Sequence, residues 1–222
     1  MVDYCFQIPR IAVFNSGALT HTVPQSISPD LENKLKEALA DQIQKQKIGI
    51  AYGTVGSVQD LIFWEELILR GGECHIFLPF NKADYYHWLE QKQPDIDWEK
   101  RLKHIFSKAV IVTTLCDFNP NNPTDSFEFT ENFILGKSIL RSRSLDTERV
   151  MISNINPNQL EIQRWTPWKI ENPIPVETIE LKSSTPYSQK NEPLNMNEDQ
   201  RRNIRALLFA DMRGAGCRKL NC

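Results

Sequence analysis

The feature that most limits the fold of this chain is an alternation of short apolar runs with helix-length segments over its first 150 residues. The runs at 10–14, 48–52, 74–78 and 109–115 are almost continuously apolar, which is typical of strands buried on both faces of a sheet. A helix-length segment between each pair of runs favours parallel pairing with crossover connections. The pattern therefore predicts an α/β fold with a doubly wound, mostly parallel, Rossmann-like sheet.

Two helix starts are strongly marked in the sequence. Ser28 is suited to cap a helix that has Pro29 at its first position, and four apolar residues follow at intervals of four: Leu31, Leu35, Leu39 and Ile43. Ser57 and Asp60 have the spacing of a capping box, in which each side chain satisfies a backbone amide of the other. The second helix is apolar around most of its circumference, which predicts a buried, central position.

The remaining elements follow from similar patterns. Helices are predicted at 82–91, 98–106 and 126–144, the last with four inward side chains: Phe129, Phe133, Ile134 and Leu140. A fifth strand is expected at 149–152 and an edge strand at 177–181. We expect a Rossmann-like domain over 1–155, an edge strand and polar linker over 156–199, and a poorly ordered tail over 200–222.

Composition excludes several classes of function. The net charge is −2, so the chain as a whole has no electrostatic attraction for nucleic acid or an anionic membrane. No apolar run approaches the length of a membrane-spanning helix, and the first residues do not resemble a leader peptide, which favours a cytoplasmic protein. Five scattered cysteines and four histidines lack the spacing of a disulfide framework or a zinc site. A homodimer is a possible assembly.

Ligands of a doubly wound sheet bind beyond the carboxyl ends of the strands, so the turns that follow the strands are the candidate site. The turn before the second helix is the sharpest candidate, since its glycine amides and the helix start favour a phosphate. The predicted ligand-binding residues are Ser16, Gly17, Gly53, Gly56, Ser57, Asp60, Pro79 and Thr113. The alternative is that the glycines only make turns and that Ser57 only caps the helix.

Asp60 is interpreted first as the capping partner of Ser57, because Asp60 and Glu65 are too far apart on the helix to form a carboxylate pair. The aromatic residues around His87 are interpreted as half-buried core residues rather than a base-stacking platform. His75 is expected to be a core or edge histidine. No spacing indicates a catalytic triad or a phosphate-binding P-loop, so no residue pattern requires an enzyme and no catalytic residue is predicted.

Two resemblances add to this interpretation, and the first covers about residues 10–150. The segments RIAVFNSG, GSVQDLIFWEELILRGGECHIFLPFNKADYY and KSILRSRSLDTE resemble the nucleotide-binding SLOG-type Rossmannoid domain that bacterial signalling proteins place beside a cyclase. The resemblance implies a ligand pocket formed by the turn residues that match: Ser16, Gly17, Gly56, Asp60, Phe63, Glu65, Pro79 and Phe80. The PGGxGTxxE signature of the related phosphoribohydrolases is missing, which argues against hydrolysis of a nucleoside monophosphate.

The second resemblance is carried by RALLFADMRG at 205–214, which looks like the opening strand and turn of class III adenylate/guanylate cyclase domains. Asp211 matches the first metal-binding carboxylate of that family and implies a magnesium ligand in a complete cyclase domain. The pattern breaks down after Gly214, so we expect a truncated domain start without cyclase activity and without a cofactor in this chain.

The leading hypothesis is a regulatory module that binds a nucleotide-like molecule and is coupled to a cyclase domain. One alternative is a nucleoside-derivative hydrolase that uses Glu65 or Asp60 as its acid or base. The other is an interaction scaffold with a vestigial pocket, which would be favoured if side chains of the protein itself fill the turns at the strand ends.

Overall fold

The computed structural model describes residues 8–16, 28–117, 123–153 and 174–179, with side chains from 126 onward in the third range. All of these residues belong to one compact unit that spans 1–183. In chain order the elements are β1 (Arg10–Asn15), α1 (Pro29–Lys45), β2 (Ile48–Gly53), α2 (Val58–Leu69), β3 (Glu73–Leu78), α3 (Lys82–Lys92), α4 (Trp98–Lys108), β4 (Ile111–Thr114), α5 (Pro123–Leu145), β5 (Arg149–Ser153) and β6 (Val176–Thr178).

The six strands form one sheet in the order β4-β3-β2-β1-β5-β6, and every neighbouring pair is parallel. The chain builds the sheet outward from β1 to β4 on one side and then returns to place β5 on the other side of β1. Together with helices on both faces, this order confirms the predicted Rossmann-like, doubly wound fold.

Successive side chains of a strand point to opposite faces of the sheet, so the core is divided into two layers. In β1, Ala12 and Phe14 pack in the layer that contains α1, α2, α3 and α4. The intervening residues Ile11 and Val13 pack in the layer that contains α5. The sheet is therefore covered by several helices on one face and, among the described elements, mainly by α5 on the other.

The two strongest helix predictions are confirmed. Ser28 caps α1 by accepting a hydrogen bond from the Leu31 amide, and the inward leucine and isoleucine positions of α1 are buried at Leu35, Leu39 and Ile43. Helix α2 contacts α1, α4, β1 and β3, and its apolar residues from Val58 to Trp64 are buried. Burial on several sides explains why α2 lacks a polar face.

Two predictions of burial are wrong. Strand β4 was expected to be a buried strand, but it lies at the edge of the sheet, and Ile111 on its α5 side is 40% exposed. On α5, Leu140 was expected to face inward but is 42% exposed, whereas Leu135 and Ile139 are buried. Helix α5 packs mainly against β1 and β2, so among the described elements it does not cover the β4 edge of the sheet on that face.

The edge strand predicted at 177–181 is present as β6, one residue earlier, at Val176–Thr178. Apart from residues 174–179, the predicted linker over 156–199 lies outside the described residues, as does the tail over 200–222. Among the residues that the structure describes, no helix is both long and apolar enough to cross a membrane.

Candidate functional site

The order of the strands places a possible binding site at the carboxyl end of β1. The direction of sheet growth reverses at this strand, and such a reversal is where open α/β sheets form ligand crevices. Ser16 directly follows β1, Ser153 ends the neighbouring β5, and both side chains are buried. The Ser153 hydroxyl donates to the Asn15 carbonyl oxygen over 2.8 Å, which joins the two strand ends.

The centre of this site is the carboxylate of Asp60, which lies in the first turn of α2. Its Oδ2 atom accepts hydrogen bonds from the amides of Gly56 at 2.7 Å and Ser57 at 2.8 Å. The same oxygen accepts from the hydroxyls of Ser16 at 2.9 Å and Ser57 at 3.1 Å. The turn after β1 and the turn after β2 are therefore brought together through one carboxylate oxygen.

The predicted capping box is confirmed, because the Asp60 amide also donates to the Ser57 hydroxyl over 3.3 Å. This box has a consequence for the predicted phosphate position. The amides of Gly56 and Ser57, which were expected to receive an anion, already donate to Asp60. A phosphate at the same place would compete with a carboxylate of the protein itself and would be repelled by its charge.

Burial raises the pKa of Asp60 from its ordinary value of 3.8 to about 6, while the four hydrogen bonds from Gly56, Ser16 and Ser57 oppose the rise. Only 2% of the residue is exposed. The carboxylate is thus held in place by donors but has lost most of its hydration, and it carries a negative charge at neutral pH.

Gly53 has a packing reason to be glycine. A Cβ atom at this position would lie 2.9 Å from Cζ2 of Trp64 and 3.1 Å from the carbonyl oxygen of Phe14. The Trp64 ring cannot retreat easily, because it is fully buried and its Nε1 donates to the Thr54 carbonyl oxygen over 2.9 Å. The predicted role of Gly53 in approaching a ligand remains a prediction, and close packing already accounts for the residue.

The other predicted site residues are distributed along the same edge or lie outside the described residues. Pro79 is buried directly after β3, one strand away from β2. Thr113 is exposed in β4, three strand spacings from β1, which corresponds to roughly 14 Å. Gly17 and the proposed metal ligand Asp211 lie outside the described residues.

Glu65, the second candidate carboxylate, does not face the Asp60 group. Both of its oxygens are bound by Arg101 of α4, at 2.7 Å from Nε and 2.6 Å from a terminal nitrogen. Arg101 also lies 3.4 Å from Glu32 of α1. This ion pair joins three helices and leaves Glu65 a structural partner rather than a free acid or base.

The aromatic residues of α3 are core residues, as predicted. Tyr85 is fully buried and donates from its hydroxyl to the Val55 carbonyl oxygen over 2.6 Å, and Trp88 is half-buried against it. His75 is also a core histidine, since it is buried and stacks on Tyr52 with ring centroids 4.5 Å apart. Burial lowers the pKa of His75, despite its contact with Glu73.

One residue near this edge was missed by the sequence analysis. Lys92 ends α3, and its ammonium lies 4.6 Å from the centroid of the Trp88 ring. Burial lowers the pKa of Lys92 to about 8, and attraction to Asp60 opposes that change. Lys92 follows Asp60 by 32 positions on a different helix, so no local pattern indicates that the two charges influence each other.

Among the described residues, no group of three or more histidine, cysteine or acidic side chains could hold a metal ion. Comparison of the chain with protein-family models, curated proteins and solved structures finds no match. The fold and the geometry of this edge are therefore the basis for a functional proposal.

Proposed function

We propose that this chain is a non-catalytic regulatory module that binds a nucleotide-like molecule at the carboxyl edge of the sheet, beside the end of β1. The observation that carries the proposal is the buried Ser16–Asp60 hydrogen bond, which concentrates polar groups where the strand order reverses. Buried polar side chains at such a point are a recurrent feature of ligand sites in this class of fold.

The chemistry of the edge favours a particular part of the ligand. The Asp60 carboxylate accepts hydrogen bonds, and the Ser16 hydroxyl, whose proton is donated to Asp60, can accept one, so ribose hydroxyls or base amino groups, which donate, suit this position. A carboxylate that accepts from sugar hydroxyls is a familiar arrangement in dinucleotide-binding sheets. The phosphate of the ligand is then expected away from the amides of Gly56 and Ser57, which donate to Asp60.

The geometry supports binding more strongly than hydrolysis. A general acid or base must be able to exchange a proton with a reacting group, but Asp60 is held on one oxygen by four donors. Glu65, the other carboxylate considered for that role, is held on both oxygens by Arg101. These contacts favour a binding or structural role for both carboxylates.

The coupling of this module to a class III cyclase domain rests on the resemblance around Asp211 alone. That part of the chain lies outside the described residues, so the coupling stays a prediction.

Isothermal titration calorimetry with AMP, ADP, ATP, NAD, ADP-ribose and cyclic AMP tests the proposal. We expect a saturable heat with at least one of them, and a weaker affinity in Ser16→Ala, which removes the hydroxyl without removing the Asp60 carboxylate. Ser107→Ala is a matched control, because this exposed serine lies at the end of α4. Absence of binding by every compound would overturn the proposal.

A second candidate function is an interaction scaffold without a small-molecule ligand. The specific observation in its favour is that Asp60 itself occupies the amide donors of the turn before α2. The same titrations separate the two candidates, because a scaffold predicts no saturable heat with any nucleotide.

A further inference from the structure

Lys92 is held at the carboxyl edge of the sheet by an aromatic group from two helices. Its ammonium lies 4.6 Å from the centroid of Trp88, a cation–π geometry that fixes the side chain direction. Trp88 stacks on Tyr85 at 5.4 Å and contacts Phe127 of α5 at 5.0 Å. The ammonium is therefore placed by the core instead of moving freely on the surface.

The same aromatic group connects Lys92 to the Asp60 site. The Tyr85 hydroxyl donates to the carbonyl oxygen of Val55, which lies in the turn between β2 and α2, one residue before Gly56. The next residue of this turn, Gly56, donates its amide to the Asp60 carboxylate, so Tyr85 and Asp60 contact adjacent residues of one turn. A half-buried cation and a buried carboxylate thus share one edge of the sheet.

We propose that Lys92 is the phosphate-binding residue of this site and contacts the phosphate of a nucleotide whose nucleoside part lies beside Ser16 and Asp60. This inference rests on the proposed function. The amides of Gly56 and Ser57 in the turn before α2 donate to Asp60, whose negative charge opposes a phosphate at that turn, so a nearby cation is a better partner for the phosphate. Lys92 is a half-buried cation that lies against Trp88, and Trp88 stacks on Tyr85, which contacts the turn before Asp60.

The competing role for Lys92 is to balance the charge of Asp60 without touching a ligand. The two roles differ in what they predict for an uncharged ligand. A phosphate contact matters for ADP and is irrelevant for adenosine, whereas a purely structural role affects both through the stability of the site.

The experiment compares the binding of ADP and adenosine to the wild-type chain and to Lys92→Met, Lys92→Arg and Lys103→Met. Lys103 is an exposed lysine of α4 and serves as the matched control. For Lys92→Met we expect the affinity for ADP to fall by about 10- to 100-fold, in the range of one lost charge-assisted hydrogen bond, with adenosine unchanged. Lys92→Arg is expected to keep most of the affinity, and Lys103→Met all of it.

The outcomes separate the two proposals. If the wild-type chain binds ADP and Lys92→Met binds it equally well, the inference about Lys92 is overturned and the proposed function stands. An equal loss for ADP and adenosine assigns Lys92 a structural role and also overturns the inference. If the wild-type chain binds none of the nucleotides, the proposed function fails and the inference fails with it. Thermal unfolding checks that each variant is folded, and Lys92→Gln replaces Lys92→Met if the latter does not fold.

Discussion

The Asp60 side chain both caps α2 and gives the candidate site its negative charge. As a capping residue it accepts hydrogen bonds from the amides of Gly56 and Ser57, which directly precede α2. By doing so it places a negative charge where the helix dipole and the free amides would otherwise attract an anion. The cap and the anion site were both predicted at this turn; the structure contains the cap, and the anion site stays a prediction.

The stability of the protein is expected to depend on pH through Asp60. Burial raises the pKa of this carboxyl to about 6 in the folded chain, above its ordinary value of 3.8. The folded state therefore binds the proton more tightly than the unfolded state. The resulting stabilisation is fully present below pH 3.8 and is lost as the pH rises through about 6. From the two pKa values the change is about 3 kcal/mol.

Other carboxylates titrate in the same range, so the informative quantity is the difference between wild type and Asp60→Asn in urea denaturation from pH 4 to pH 7. The free energy of unfolding of the wild type should fall relative to that of the variant as the pH rises. Asp97→Asn is the matched control, because Asp97 also caps a helix but is exposed. Parallel curves for the wild type and Asp60→Asn would show that the buried carboxyl does not titrate as proposed.

Two glycine-to-alanine substitutions test the packing, because they are expected to change the free energy of unfolding in opposite directions. Gly53→Ala places a methyl group against the buried Trp64 ring and the Phe14 carbonyl oxygen, and we expect a destabilisation of about 2 kcal/mol. Gly136→Ala adds a methyl group with no neighbouring atom within 4 Å in the middle of α5, and a stabilisation of about 0.5 to 1 kcal/mol is expected. Chemical denaturation of both variants measures the two values. If Gly53→Ala leaves the free energy of unfolding unchanged, the Trp64 ring can move aside to accommodate the methyl group.

At the scale of elements, the sequence predicted most helices and strands but not how far each is buried. The bounds of α1 and α2 could be predicted because their caps and their periodicity lie in adjacent residues. The exposure of β4 could not be predicted, because it depends on β4 being last in the strand order. The inward side of α5 was assigned to Leu140 instead of Ile139, since apolar residues occur around much of this helix.

The candidate site was only partly predictable for the same reason. Ser57 and Asp60 are three residues apart, so their capping contact follows from local sequence. Ser16 reaches Asp60 from 44 positions away, and this contact could be expected only from the parallel pairing of β1 with β2. Lys92 approaches through the packing of Trp88 and Tyr85, which no local pattern specifies.

The ion pair between Arg101 and Glu65 should stabilise the arrangement of the helices on one face of the sheet. It joins α4 to α2 with two short hydrogen bonds, and its side chains are only 19% and 26% exposed. A double-mutant cycle with Arg101→Met and Glu65→Gln is expected to give a coupling free energy of about 1 to 2 kcal/mol, above the range of exposed pairs.

The i,i+4 pair of Lys34 and Asp30 provides the comparison, because both of its side chains are largely exposed on α1. Its coupling free energy, measured in the same way, should be clearly smaller than that of the Arg101 pair. Equal couplings would show that the burial of Arg101 adds nothing to the strength of its ion pair.

At the scale of the whole molecule, stability should decrease from the middle of the sheet towards its edges. Strand β1 lies between β2 and β5, and four of its six residues are buried. Strand β4 at one edge has alternating exposed and half-buried residues, and β6 next to β5 has only three residues, all half-buried. Edge strands make hydrogen bonds on one side only and have fewer apolar contacts, so they open locally at a lower free energy.

Native-state hydrogen exchange tests this gradient along the sheet. The amides of β1 are expected to exchange only through global unfolding, whereas two amides that bind the edge strands to their neighbours, those of Leu115 and Ile179, should exchange at least about 100-fold faster. A low concentration of urea should accelerate the β1 amides and leave the edge amides almost unchanged, because local opening exposes little surface. If the β4 amides exchange as slowly as those of β1, the gradient is wrong. Such slow exchange would require the outer side of β4 to be covered in solution. A second copy of the chain could provide such cover, and slow exchange at β4 that becomes faster on dilution would identify it.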